Sequence, residues 1–229
     1  MHVGNCRFSG DAQPIGIELK SFHRYSFTVA FIELVMGVSA MAIATTPDLM
    51  TTEELLALPD DGMERWLIRG ELRERPMSVR NQFHSGIMAR VSQLLNNWLD
   101  RQPEPRGKIL CGDAGVRLRR DPDVTVGIDI AYISAEVIRN QSAESTLVAG
   151  VPTLVVEVLS PNDTVEEINE KIDVYLKAGV SLIWIINPRH RTIELFQPGA
   201  EPELVNIKQE LIGDPQLPGF RIAAAQIFS

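Results

Sequence analysis

The chain has 229 residues, of which 45% are hydrophobic and 23% charged, and carries a formal net charge of −8. That length supports one domain with a substantial core or two small ones, and the composition is ordinary for a globular protein. The acidic balance excludes a bulk electrostatic grip on nucleic acid but leaves room for a local basic groove. The two cysteines, Cys6 and Cys111, lack metal-ligand spacing, so no structural disulfide is expected and a reducing cytoplasm is the expected location.

Residues 26–44 run mostly apolar behind Lys20, His23 and Arg24, in the manner of a signal segment. Glu33, Gly37 and Ser39 weaken it as a membrane span. Met41 opens a start-like stretch, so residues 1–40 read as a non-native or disordered N-terminal extension ahead of a domain over 41–229, with no membrane segment, the alternative being a true export signal. Thr51 and Glu54 form a capping box into a short helix ending near Leu58, and Pro59 to Gly62 make a turn. Glu64–Arg69 and Glu71–Arg75, split by Gly70, predict a strand hairpin.

Val79 to Leu99 is the clearest helix, with Phe83, Ile87, Val91, Leu94, Leu95 and Trp98 on one face. Strands are expected at Lys108–Cys111 and Gly115–Arg119, then around Asp129, followed by a loose stretch from Ser134 to Gly150 and a strand around Glu157. A helix over Val165–Ala178 starts from Asp163 or Thr164 and stops at Gly179. Ser181–Ile186 and Thr192–Phe196 are strands, and Pro198 onward is edge and tail. The fold class is therefore α/β or α+β, a mixed sheet flanked by helices.

Two carboxylates break this pattern. Glu157 interrupts Leu154-Val-Val-Glu-Val-Leu159, and Asp129 interrupts Val126-Gly-Ile-Asp-Ile-Ala-Tyr132. Both runs are apolar on both parities, as in strands covered on both faces. An ionised carboxylate there costs roughly several kcal/mol unless a cation or hydrogen-bond donor compensates it. Two on neighbouring strands would repel, and a shared metal ion removes that repulsion. The competing reading is two strand-end acids that face solvent or pair with arginines.

Hydrolysis of a phosphodiester with Mg²⁺ needs hard oxygen ligands and a cation beside the scissile phosphate. Lys171 is the candidate cation. It falls at the margin of the apolar stripe made by Val165, Ile168, Ile172, Tyr175 and Leu176, whereas Lys177 points the opposite way with Glu166 and Glu170.

The segment Pro152 to Pro161, then Lys171 and Tyr175, then Gly179 to Trp184 and Asn187-Pro188, resembles the Uma-type family of restriction-endonuclease-like proteins, within the PD-(D/E)XK nuclease superfamily. Ile68 to Leu72, His84 and Gly112 to Leu118 agree with it, and the resemblance spans residues 41–229. It implies a restriction-endonuclease-like core and a Mg²⁺-dependent DNA endonuclease, with Mn²⁺ as a possible substitute. Asp129 and Glu157 take the places of the two motif acids and metal ligands. Ile128 stands where the motif has proline, and Leu159 stands where it has lysine. The resemblance implies that the lysine has moved to the following helix, as Lys171.

Glu71 is a secondary candidate for a metal or water ligand, or else a surface strand residue. His84, on the apolar side of its helix, is either a catalytic residue or a satisfied core histidine. Asp113 could approach the site or serve a turn, and Arg117, Arg119, Arg120, Arg189, His190 and Arg191 either contact phosphates or, as the default reading, are surface charge. A Gly-rich phosphate loop and a nucleophile elbow are absent from the sequence. The expected partner is DNA, cut by a homodimer because a duplex presents two strands. The alternative is a catalytically inactive nuclease-fold module that binds nucleic acid or protein.

Overall fold

The computed structural model describes residues 48–77 and 81–229. The expected N-terminal extension therefore lies outside the described residues, as do residues 79 and 80 of the helix expected from Val79; Asn81 is extended, so the described helix starts later than expected, at Gln82.

Thr51 caps α1 (Thr52–Leu56) through a reciprocal capping box with Glu54. The hairpin forms as β1 (Met63–Ile68) and β2 (Glu71–Pro76), antiparallel and turned at Arg69-Gly70, both at positive φ. Asn81 caps α2 (Gln82–Leu99) by accepting from the amides of Phe83 and His84. Then come β3 (Lys108–Arg119) and β4 (Val124–Ile133), α3 (Ala135–Arg139), β5 (Val148–Ala149) and β6 (Leu154–Val158). The helix α4 (Val165–Ala178) has the predicted bounds, with Thr164 as cap and Gly179 at φ 96° closing it. β7 (Leu182–Asn187), β8 (Thr192–Phe196) and β9 (Glu203–Asn206) complete the large sheet. A small pair, β10 (Glu210–Ile212) with β11 (Arg221–Ala223), and a 3₁₀ turn over Ala224–Phe228 finish the chain.

The sheet runs β2-β1-β4-β6-β7-β8-β9, with β3 on the free edge of β4 and β5 beside β3. Only β6–β7 and β3–β5 are parallel pairs among the described strands. The mixed sheet flanked by helices is thus the architecture the sequence indicates.

One face carries α2 and the C-terminal segment, packed on Ile130, Val156, Trp184 and Ile193. The other carries α4, packed on Ile128, Ala131, Val155 and Ile183. Every residue of β6 is buried, which explains its unbroken apolar run.

Three expectations need correction. The strands expected at 108–111 and 115–119 are one strand, with a bulge instead of a break: Cys111 pairs Ile130 and Ala114 pairs Ile128, so Gly112 and Asp113 together stand opposite the single residue Asp129. The stretch after Ser134 is not loose throughout, since Ser134 caps α3 and β5 joins the sheet. The tail is not merely edge. Leu211, Leu217, Phe220 and Ile227 are buried, and Phe220 lies against the rings of Trp184 and Trp98, with centroids 5.4 and 6.4 Å away. Phe220→Ala should therefore cost about 3–5 kcal/mol, read as a lowered urea midpoint at unchanged slope; a loss below about 1 kcal/mol would return this segment to the periphery.

Candidate active site

The position of the two acids follows from a fork in the sheet. β3 covers one edge of β4 along its length, so β1 and β6 share the other. β1 touches it at Leu67↔Thr125, and β6 joins it only from Ile130↔Val156 to Tyr132↔Leu154. Extending that register one step sets Asp129 opposite Glu157, where the strands part. Here the Asp129 side chain replaces the ladder: its Oδ2 accepts the Val158 amide at 2.8 Å. The bulge in β3 lies directly across and changes the alternation of β4, so Ile128 and Ala131 pack on one face while Ile130 packs on the other.

Asp129 Oδ2 also lies 3.2 Å from His84 Nε2, brought over from α2. An ionised carboxylate only accepts, so Nε2 carries the hydrogen. His84 Nδ1 is buried without a hydrogen-bond partner among the described residues. Burial opposes ionisation of Asp129, but the hydrogen bonds from His84 and Val158 outweigh it and hold the carboxyl below its ordinary range. The residue is a fixed carboxylate.

Glu157 is held from α4. Lys171 Nζ donates to Oε2 at 3.0 Å and the Tyr175 hydroxyl donates to Oε1 at 2.5 Å. Positions 171 and 175 are one helical turn apart, so both reach the same carboxylate. Burial pushes Glu157 up to about 7; Lys171 and Tyr175 resist the shift and the nearby Asp129 charge adds to it. Burial would depress Lys171, but Glu157 and Asp129 hold it above its ordinary value, so it stays a full cation.

Arg75 and Asp163 close the side of this small cavity. Arg75 bridges Glu64 at 2.8 Å and Asp163 at 3.2 Å, and Arg73 reaches Glu170 of α4 at 3.0 Å, so the β1–β2 hairpin is strapped to α4 and its leading turn.

The structure brings together four of the five candidates, Asp129, Glu157, Lys171 and His84, while Glu71 lies apart on β2, exposed and 3.0 Å from Arg73. Asp113 lines the cavity from the bulge. Arg117 and Arg120 converge on Glu53 instead. Leu159 points no cation at the site; it packs with the α4-side core while its amide bonds Ile186 O at 2.8 Å. Sequence reading missed Tyr175 as a site residue because its place on the apolar stripe of α4 looks like ordinary core.

Among the described residues no group of three or more His, Cys, Asp or Glu is arranged to hold a metal. The donor set is two carboxylates at facing strand positions, and the charge of one raises the pKa of the other. That set fits Mg²⁺, which takes one or two carboxylates and completes its shell with water and phosphate. It does not fit a closed zinc site, which takes four protein ligands.

The raised Glu157 makes the metal-free protein pH-sensitive. Its folded value of about 7 exceeds the ordinary 4.5, so the folded state binds a proton the unfolded state has lost between those limits, and stability falls as pH rises through that window. The loss is about 3 kcal/mol, or several degrees in Tm for a domain of this size. In chelator, the Tm difference between the parent and Glu157→Gln should change by that amount between about pH 4.5 and 7.5. Parallel curves would show that Glu157 titrates normally.

One solved structure, a putative nuclease belonging to DUF820 from Anabaena variabilis, superposes with a TM-score of 0.65 at 19% identity, covering 78% of this chain and 97% of that one. This likeness establishes the nuclease-like fold. No curated protein matches the chain. Residues 52–225 match the Uma2 model, described as "Putative restriction endonuclease", and the chain belongs to that family.

Proposed function

We propose that this protein is a Mg²⁺-dependent DNA endonuclease that hydrolyses phosphodiester bonds, with Asp129 and Glu157 as metal ligands and Lys171 beside the scissile phosphate. The observation that carries this reading is the convergence of the three side chains at the fork: two facing carboxylates, with Lys171 Nζ 3.0 Å from Glu157 Oε2.

Held by the two acids, Mg²⁺ (or Mn²⁺, also a hard cation that accepts oxygen ligands) would neutralise phosphate charge and acidify an attacking water. The other tasks belong to the chain. His84 and the Val158 amide hold Asp129 in one orientation, and Tyr175 holds Glu157, so neither carboxylate must reorganise during the reaction. Lys171 keeps its proton and can donate to a phosphate oxygen as negative charge develops. A lysine on α4 can thus do what the motif expects of position 159.

A cytoplasmic homodimer acting on DNA belongs to the same reading, because two-fold symmetry is the simplest way to present two such sites. The test is cleavage of plasmid and linear DNA with Mg²⁺, with Mn²⁺ and with chelator. Metal-dependent nicking that chelator abolishes is the expected result; no cleavage with either metal across substrates would leave a non-catalytic nuclease-fold binding protein.

A further inference from the structure

The fork opens into a second, larger cleft of about 330 Å³. It adjoins the site just described, since Arg75, Asp113 and Lys171 line both. Leu56, Leu58, Met63 and Trp66 give it an apolar wall, and the carboxylates of Asp60, Glu64 and Asp113 line it as well. Leu56 is 55% exposed, an apolar side chain left bare at the mouth. The guanidinium of Arg75 lies over the Trp66 ring, 5.6 Å from its centroid.

The arginines around this cleft are already engaged. Arg65 is 2.6 Å from Asp61 and 3.2 Å from Glu74, and Arg75 bridges Glu64 and Asp163, whereas Lys171 gives Glu157 one hydrogen bond and keeps hydrogens for a phosphate at the site. Such walls do not form a track for a phosphate backbone, which requires cations available to replace counterions. They suit a flat, largely apolar group carrying hydrogen-bond donors. The volume is at the low end for small-molecule sites, the scale of one nucleotide.

Resting on the endonuclease reading, we infer that this cleft takes an unpaired nucleobase of the substrate strand, stacked beside Trp66, and that the protein acts on DNA carrying unpaired nucleotides next to the scissile phosphate. An acidic chain whose cleft arginines are already paired gains affinity there from stacking more than from charge. A base held in the cleft puts its own phosphate near Lys171, because the two cavities share that residue. A paired base is not available to enter, so the cleft discriminates against intact duplex.

The test measures binding in chelator, so that it does not depend on catalysis. A single strand, its blunt duplex, and a duplex with one unpaired nucleotide are compared by fluorescence anisotropy, with 2-aminopurine at the unpaired position. The two substrates with unpaired bases should bind at least about tenfold more tightly than blunt duplex, with quenched 2-aminopurine, and Trp66→Ala should weaken them by roughly ten- to a hundredfold. Trp66→Phe should retain most of the affinity. Leu56→Ser, at an exposed position that the fold does not need, should weaken it severalfold, and this decides the matter if Trp66→Ala fails to fold. Equal affinity for blunt duplex, no binding of the single strand, or parental affinity in folded Trp66→Ala and Leu56→Ser overturns the inference. Cleavage of the same substrates with Mg²⁺ is scored separately: retained binding preference without cleavage refutes only the hydrolytic reading.

Discussion

Asp129→Asn and Glu157→Gln will each reduce Mg²⁺-supported cleavage by at least about 10²-fold, the scale of losing a preorganised charge at a reacting phosphate. Both variants should remain folded. In Asp129→Asn the amide oxygen would still accept from His84 and the Val158 amide, and in Glu157→Gln the side-chain oxygen would still accept from Tyr175 or Lys171. Each also removes one of two carboxylates that oppose each other, so the loss belongs to metal binding and not to packing. Calorimetric titration should show Mg²⁺ affinity falling with either change. Affinity unchanged in both variants would mean that the ion is bound elsewhere.

Lys171→Ala should be nearly inactive, losing about 10²–10³ in rate, while Lys177→Ala stays close to the parent. The two lysines share one helix and one charge but not one environment. Lys171 is 19% exposed and holds Glu157, whereas Lys177 is 61% exposed and pairs only with Asp173 at 2.8 Å, a contact worth little. Without Lys171 the Glu157 carboxyl loses the main charge opposing its upward shift. Metal binding should therefore need a higher pH in Lys171→Ala than in the parent. Lys171→Arg restores the charge in a planar, wider head and should rescue only part of the rate. Equal rates for the two alanine variants in a plasmid-nicking assay would remove Lys171 from the chemistry.

How much of this was legible beforehand differed between residues for physical reasons. The acids stood out because a carboxylate inside an apolar strand contradicts its surroundings, and α4 was legible to the residue because its Thr164 cap and its closing Gly179 are both written in the sequence. Lys171 could be placed by helical geometry alone. Tyr175 could not, since the same geometry puts it among core residues and only the position of Glu157 turns it into a hydrogen-bond donor. His84 was equally ambiguous: an apolar neighbourhood does not say which buried acceptor lies across the interface. The tail failed for a different reason. Its strands have three or four residues each, too short for a period to emerge, and its core contacts are with α2 and β7, far away in sequence. Gly112 and Gly115 signal a break in β3 just as they would signal a bulge, and only pairing with β4 distinguishes them.

That bulge makes the length of β3 a functional quantity. Leu110 ahead of the bulge and Val116 beyond it pack in the same cluster, a shared face that depends on one residue more than β4 supplies between their partners. Deleting Gly112 or Asp113 would force a choice. Either Val116 and Leu118 turn outward with the far half of the strand, or the pairing from Lys108 to Cys111 slips and takes the Asp129 position with it. A substitution leaves the count intact, although at Gly112, whose φ is 98°, any side chain would strain the backbone. A deletion here would displace the Asp129 position without removing any side chain of the proposed site.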